Sequence, residues 1–589
     1  MYIRQWTAIL SLPVWLQISC VHAFLGGDGD HPYDSDMLKQ QESLLGLCPD
    51  YTNYARHIHK PLSDGPLQLP YQRPHPSCRK FSSPAVEQVI SDLYPRFKDP
   101  DLAQIFQNAF PNTLDTTVLW HVDGEKRHAP PPRLLRDKDR WQGAHSFIVT
   151  GDINAEWLRD STNQLAQYQL LAKSAPDISN LILGAINTQA EFVISAPYCN
   201  AFQPPDPSRL APVHSGQDDM VHPAYEPAVV FECKYELDSL AAFLKLTNEY
   251  HTSTGSVAFL TTRWFKALDA LLRVLDAQAQ PTFNSKTGRY ERNEYTFSRW
   301  TRIGTETLNL EGTGNPLADG TGLIRSAFRP SDDATIFGFL IPANAMMSVE
   351  LSRAAKMLKS ASAASTRESQ AMQMIQVADD LAERAETLKK GIYKHAVVTH
   401  PEFGQVFAYE VDGYGSHLLM DDANIPSLLS LPLLGFVDAA DPIYRNTRRM
   451  ILTQRGNPYY LSGPKFQGIG GPHIGLRNAW PMSVLVQAMT ATSDDDDNDA
   501  EILACLDAVK NVSVFGLINE SVDVHRGAKR GGGSGEGMTR SWFAWANSVF
   551  AQAVLWLAEH KAGLVLKDSD DGRPPKGYRV GVGWVEYSV

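Results

Sequence analysis

The sequence predicts a mainly α protein built as an (α/α)6 barrel, a helical toroid with few short strands. Three observations lead there. About twelve stretches place apolar residues at helical spacing. They follow one another without the strand–helix alternation of a parallel sheet. No repeat of fixed period marks a solenoid. Six inner and six outer helices use up such a count, and the loops at one end of the toroid then form a pocket. The length of 589 residues is more than one minimal core requires. Hydrophobic residues at 43% and charged residues at 20% give a globular composition and not a disordered one. Lys+Arg 54 against Asp+Glu 66 gives 54 − 66 = −12, which argues against nucleic acid as the main partner, because phosphate binding needs a basic footprint.

Taken in order, the chain opens with a basic Met1–Trp6 carrying Arg4, then 13 residues from Thr7 to Ser19 that are mostly apolar, then Val21-His22-Ala23. That is the pattern of a secretory signal peptide over 1–23, so a secreted or secretory-pathway protein is expected, with no membrane span after cleavage. Residues 24–84, rich in Pro, Gly, Asp and His, read as an irregular arm. Of the six cysteines, Cys20 leaves with the signal. Cys48, Cys78, Cys199, Cys233 and Cys505 remain, an odd number that leaves at least one thiol unpaired, and the pairing is open. No Cys or His spacing reads as a zinc site. Sequons stand at Asn511-Val512-Ser513 and Asn519-Glu520-Ser521.

The catalytic-domain candidate runs over 85–560. Its helical stretches are 85–110, 155–173, 177–194, 232–251, 255–277, 334–358, 371–390, 423–434, 440–455, 476–492, 499–511 and 539–560. The clearest are 177–194, with Ile178, Leu181, Ile182, Ala185, Ile186 and Val193 on one face, and 371–390, with Met372, Ile375, Ala378, Leu381, Ala385 and Leu388. Gln405–Val411 alternates like a strand and ends at the hairpin signal Asp412-Gly413. A C-terminal extension, 561–589, ends in an extended-looking Tyr578–Val589. The acidic run Asp494–Asp497 lacks the spaced ligands and Gly of a calcium loop and reads as solvated. Gly531–Gly535 is not followed by the Lys and Ser/Thr of a phosphate loop. Gly468–Gly475 carries His473 on a turn where glycines let a polar side chain approach a ligand.

No nucleophile motif is present. Carboxylates on loops and at helix starts stand out instead. In Gly151–Ser161, Arg159 and Asp160 offer fixed donors and acceptors for vicinal hydroxyls, and Trp157 offers a flat face for a sugar. In Phe328-Arg329-Pro330-Ser331-Asp332-Asp333-Ala334, Ser331 is expected as a helix N-cap with both Asp in the first turn. Two adjacent carboxylates resist joint ionisation, so one can stay protonated, against the pull of the helix dipole. In Asn519–Asp523, Glu520 can activate a water. Residue by residue, a cap, a structural ion pair or a solvated Glu explains each group as readily. Together they describe a helical protein with a carboxylate-lined pocket, and glycoside hydrolysis needs two carboxylates and no cofactor.

Six segments then stand in a telling order: Gly151-Asp152-Ile153 with Trp157–Ser161; Tyr198 with Asn200-Ala201-Phe202; Lys234-Tyr235-Glu236 with Asp238-Ser239; Phe328–Ala334; Asp421–Asn424 with Pro426–Leu429; and Trp542–Ser548. From about 85 to 558 the chain resembles glycoside hydrolase family 125, the exo-α-1,6-mannosidases. The resemblance implies an (α/α)6 barrel and metal-independent, inverting release of single mannose units from non-reducing α-1,6-linked ends. It puts the general acid on Asp332 and the general base on Glu520, with Glu536 as the alternative base. Position 519 is Asn where the family carries His, and Asn519 is expected to be buried and unglycosylated. Arg159, Asp160, Asn200 and His473 are the candidates for gripping the terminal mannose, with Trp157 beside them and Asp333 tuning Asp332. An oligosaccharide or polysaccharide substrate and a monomer are expected. Another linkage or sugar on the same barrel, such as a glucoamylase-like glucosidase, and an inactive carbohydrate-binding protein are the alternatives.

Overall fold

The helical stretches become two concentric rings. The structure, a computed structural model, describes residues 48–124, 140–491, 496–530, 537–568 and 578. The signal segment, Cys20, much of the arm, Asp494 and Asp495, Gly531–Gly535 with Glu536, and most of the C-terminal extension lie outside the described residues. After a helix at Pro84–Leu93, the barrel helices are α1 (Pro100–Ala109), α2 (Leu158–Ala166), α3 (Pro176–Ser195), α4 (Leu237–Thr254), α5 (Thr262–Gln278) and α6 (Ile341–Ala363). They continue as α7 (Glu368–His395), α8 (Leu431–Leu434), α9 (Pro442–Ile451), α10 (Pro481–Met489), α11 (Asp496–Val512) and α12 (Ala544–His560). The even-numbered helices are the inner ring: α2 packs on α4, α4 on α6, α6 on α8, and α10 on α12, which closes on α2. The odd-numbered helices lie outside them, α7 along α6 and α11 along α10.

Burial separates the rings. In α12 every residue from Ala544 to Ala551 is buried, as expected for a helix enclosed on all sides. In α7 the buried residues, Ala378, Leu381, Ala385, Leu388, Gly391 and Ile392, form one stripe. Met372 and Ile375, expected on that stripe, are exposed, because the apolar pattern runs two turns beyond the stretch its neighbour covers. Pro at the first or second position starts α1, α3, α6, α8, α9 and α10, where the missing N–H costs nothing.

Each inner helix begins later than its apolar pattern. The intervening residues form short strands and turns at the helix N-termini. β1 (Glu156–Trp157) pairs with β2 (Ala201–Phe202), which pairs with β4 (Val230–Glu232). β3 (Asp219–His222) pairs with β5 (Thr296–Arg299) as a separate flap. The expected strand 405–411 appears as Gly404–Phe407 and Glu410–Val411, and the latter turns through Asp412-Gly413 to pair with His417–Leu418. Cys199 and Cys233 form a disulfide, Cys48 and Cys78 are also disulfide-bonded, and Cys505 is free and buried. Asn519 is fully buried, and its Nδ2 donates to the Val512 carbonyl at 2.7 Å.

Candidate active site

The N-terminal ends of the inner helices surround a pocket whose empty space, mouth included, is ≈ 480 Å³. Trp157, Arg159 and Asp160 reach it from the start of α2, Trp480 from α10, and Phe543 and Trp545 from α12. Ser331 and Asp332 come from the segment before α6, Asn424 from that before α8, His473 from that before α10, and Glu520 and Arg540 from that before α12. Helix N-termini carry partial positive charge, which suits a site built on carboxylates.

The Asp332 segment is not a helix start. The Asp332 N–H donates to the Arg329 carbonyl at 2.9 Å, closing a tight turn, and Phe328 bridges Ala334 across it. Asp332 sits at φ +68°, in the left-handed region that costs a non-glycine residue of order 1 kcal/mol and ends any helix. Buried Glu410 fixes the turn from below. One of its oxygens accepts from Arg329 Nε at 2.6 Å, and the other accepts the N–H groups of Ile336 and Phe337 at 2.9 Å each. Those amides therefore have no need of a helix, and α6 starts only at Ile341. The turn aims Asp332 into the pocket and Asp333 away from it. The Asp333 carboxylate is buried, 3.8 Å from His473 Nδ1.

Two cations and His473 face Asp332. Burial alone would raise its pKa, but Lys234, then Arg159 and His473, outweigh burial and hold the carboxyl at about 2. Lys234 Nζ lies 3.8 Å from Asp332 and 3.1 Å from Glu232. Arg159 is the hub of the site's floor. Its Nη1 donates to Glu236 at 2.6 Å and to Asp238 at 3.2 Å, its Nη2 lies 3.3 Å from Asp160, and its guanidinium stacks over the Trp545 ring. Desolvation pushes the carboxyls of Glu236 and Asp238 up, and it pushes Asp160 up to about 6, because one guanidinium cannot compensate three buried acids. His473 is drawn up despite its burial, by its contact with Asp333 and by Asp332.

Glu520 is anchored differently. Its N–H donates to the Arg540 carbonyl at 3.1 Å, and Arg540 Nη1 donates back to its carboxylate at 3.2 Å. Arg540 Nε also lies 3.3 Å from Asp152. This two-way pairing holds the carboxylate at the pocket wall with 8% of the residue exposed.

Of the residues selected from sequence, Trp157, Arg159, Asp160, Asp332, His473 and Glu520 line the pocket together. Asn200 and Asp333 stand one layer back. Asn200 is fully buried; its Nδ2 donates to Glu236 at 3.2 Å and its Oδ1 accepts the Lys234 N–H at 3.0 Å, so it braces the floor. Asp333 reaches the pocket only through His473. Lys234, Glu236 and Asp238 stood out in the sequence only as a motif without individual roles, and Arg540 was not singled out. Their signal was present in the alternating charges of Lys234–Asp238 directly before an apolar helix, and in an Arg before the aromatic start of α12. Among the described residues no group of three His, Cys, Asp or Glu is arranged to hold a metal ion.

Residues 99–555 match the family of metal-independent α-mannosidases, glycoside hydrolase family 125. The chain is 51% identical over 523 residues to the meiotically up-regulated gene 157 protein of Schizosaccharomyces pombe, covering 89% of this chain and 95% of that protein. Among solved structures it is similar to a metal-independent α-mannosidase of Streptococcus pneumoniae in a non-productive complex with α-1,6-mannobiose. That likeness has a TM-score of 0.64 and 28% identity, and covers 81% of this chain and 98% of the bacterial one. Helical toroid, carboxylate-lined pocket and matched length agree, and the chain belongs to glycoside hydrolase family 125, the metal-independent α-mannosidases.

Proposed function

We propose that this α-mannosidase is an inverting exo-enzyme that releases mannose from non-reducing α-1,6-linked ends of N-glycans or mannan within the secretory pathway or outside the cell. The observation that carries the reading is that Asp332 and Glu520, borne on separate loops, open into one pocket. A similar bacterial enzyme holding α-1,6-mannobiose supports the linkage.

In this reading Asp332 protonates the glycosidic oxygen as the bond breaks, and Glu520 takes a proton from a water attacking the opposite face of the ring. Inversion requires the carboxyls to stand roughly 6.5–9.5 Å apart, leaving room for that water. Arg540 holds Glu520 oriented at the pocket wall, where the base must stand. Asp332 is ionised before substrate arrives, because Lys234 and Arg159, with His473, outweigh its burial. A bound sugar excludes water from the pocket. Burial then dominates and the carboxyl takes up a proton. Burial pushes the Glu236 carboxyl up, which makes it a candidate source of that proton. Arg159 and Asp160 grip vicinal hydroxyls, Trp157 meets the ring's apolar face, and His473, steadied by Asp333, closes the other side.

The test is a panel of mannobioses with the purified protein. Cleavage of the α-1,6 isomer alone is expected. Cleavage of the α-1,2 or α-1,3 isomer with the α-1,6 isomer untouched would discard the linkage, and binding of mannosides without any turnover would return the protein to the carbohydrate-binding class.

A further inference from the structure

Trp300 is 99% exposed, while the other described tryptophans are buried or half-buried. A large aromatic side chain left wholly in water on a folded protein calls for an explanation. It has company. Met220 on β3, Ile303 and Leu310 on the loop after β5, and Ile336 on the segment after Asp332 are exposed as well. Leu310 is held out by strain: it and Glu311 are consecutive non-glycine residues in the left-handed region, at φ +48° and +57°. Such strain persists where the surroundings impose it, and it collects at ligand-binding segments. Here the surroundings are β5, since a Cβ on Gly312 would lie 2.8 Å from the Phe297 carbonyl oxygen.

This flap is joined to Asp332 by a chain of direct contacts. Arg299, next to Trp300, donates to Asp219 at 2.6 Å and 2.7 Å and to Glu232 at 3.3 Å. Glu232 meets Lys234, and Lys234 meets Asp332. Phe297 of β5 packs edge-on against Phe328, the residue that leads into the turn. The Ala334 N–H donates to the Thr305 carbonyl at 2.7 Å. The loop carrying Trp300 and Ile303 is thus tied to the backbone two residues beyond the acid.

A general acid stands at the leaving-group oxygen, so the structure beyond it faces the departing part of the substrate and not the mannose being released. We infer that Trp300, at the end of β5, is a platform for the reducing-side arm of an oligosaccharide, binding sugars past the first leaving residue by stacking their C–H faces on the indole. Trp300 does not line the pocket itself. The platform therefore acts on chains longer than a disaccharide. The inference rests on the acid role of Asp332.

Trp300→Ala should raise KM for an α-1,6-mannotetraose about 5- to 10-fold, the worth of one aromatic contact, and leave kcat unchanged. Its kinetics on α-1,6-mannobiose should match wild type, and Trp300→Phe should restore most of the loss. Tetraose binding to Asp332→Asn, followed by tryptophan fluorescence, should weaken by the same factor when Trp300→Ala is added. Equal KM values for the tetraose in wild type and Trp300→Ala, or equal losses on tetraose and disaccharide, would overturn the platform. So would a wild-type dimer that Trp300→Ala dissociates without changing tetraose binding, which would give the patch to a second copy. Tetraose binding that needs Trp300, in a wild-type protein that cleaves nothing, would keep the platform and discard the hydrolase reading alone.

Discussion

The two carboxylates of the pocket are set in opposite ways. Asp332 stands on a strained turn, faces two cations and His473, and has its nearest cation only loosely at 3.8 Å. Glu520 is paired backbone and side chain with a single arginine, whose other edge is occupied by Asp152. In the proposed mechanism each carboxyl exchanges a proton once per turnover: the acid would sit where small changes of solvation alter its charge, and the base would be clamped in its orientation. Carboxyls of like chemistry are given different tasks by their surroundings, without any difference in residue type being needed.

The largest effects should come from removing either member. Asp332→Asn and Glu520→Gln are each expected to lower kcat by about 10²- to 10⁴-fold with thermal unfolding unchanged, since neither packs the core. Near-wild-type turnover in one of them would cancel its role and leave the contrast without a basis. Next is the cation at the acid. Lys234→Met removes the leading influence that depresses Asp332, so the protonated acid should persist to higher pH. The alkaline limb of kcat/KM should move up by about one to three pH units, whereas the same limb in Arg540→Lys should stay in place. Arg540→Lys should instead lower kcat by about tenfold, because a lysine cannot hold Glu520 and Asp152 at once. A moved alkaline limb in Arg540→Lys would erase the distinction between the two sides.

The smallest effect concerns stability. Burial holds Glu156, behind Trp157, and Asp421, ahead of α8, at about 8 in the folded chain. In the unfolded chain they return to about 4. The folded state therefore keeps protons that the unfolded state has released. Their contribution is full below about pH 4, declines as pH rises, and is gone above about 8. Tm should fall between those limits, and Glu156→Gln should remove about half of the fall due to this pair. A Tm that rose across that range in wild type would contradict it.

The same contrast bears on what could be read from sequence. Each of the twelve apolar stretches corresponds to one barrel helix, and 85–110 overlaps the helix Pro84–Leu93 besides α1, because periodicity reports burial directly. The starts of the inner helices did not match. Residues 232–236, 334–340 and 539–543 continue the apolar pattern, yet they form the strands and turns that carry the site. Buried loops and buried helices are equally apolar, and only tertiary partners distinguish them. Glu410 illustrates this: it lies in what reads as an ordinary strand, yet it turns the Asp332 segment from a helix start into a turn. That Glu520 and Asp332 lie in the pocket was legible through their motifs. Lys234 was legible as part of a motif but not as a partner of Asp332, and Arg540 not at all, since both meet their carboxylates only when distant segments are brought to one end of the toroid.

The central claim is that Asp332 and Glu520 act as acid and base on opposite faces of the sugar. Proton NMR of the first minutes of α-1,6-mannobiose hydrolysis tests it most directly, because the anomer released is seen before it equilibrates. β-Mannose appearing first is the expected result. α-Mannose appearing first would mean retention and a covalent intermediate, and would contradict the assignment of Glu520 as a base acting through water.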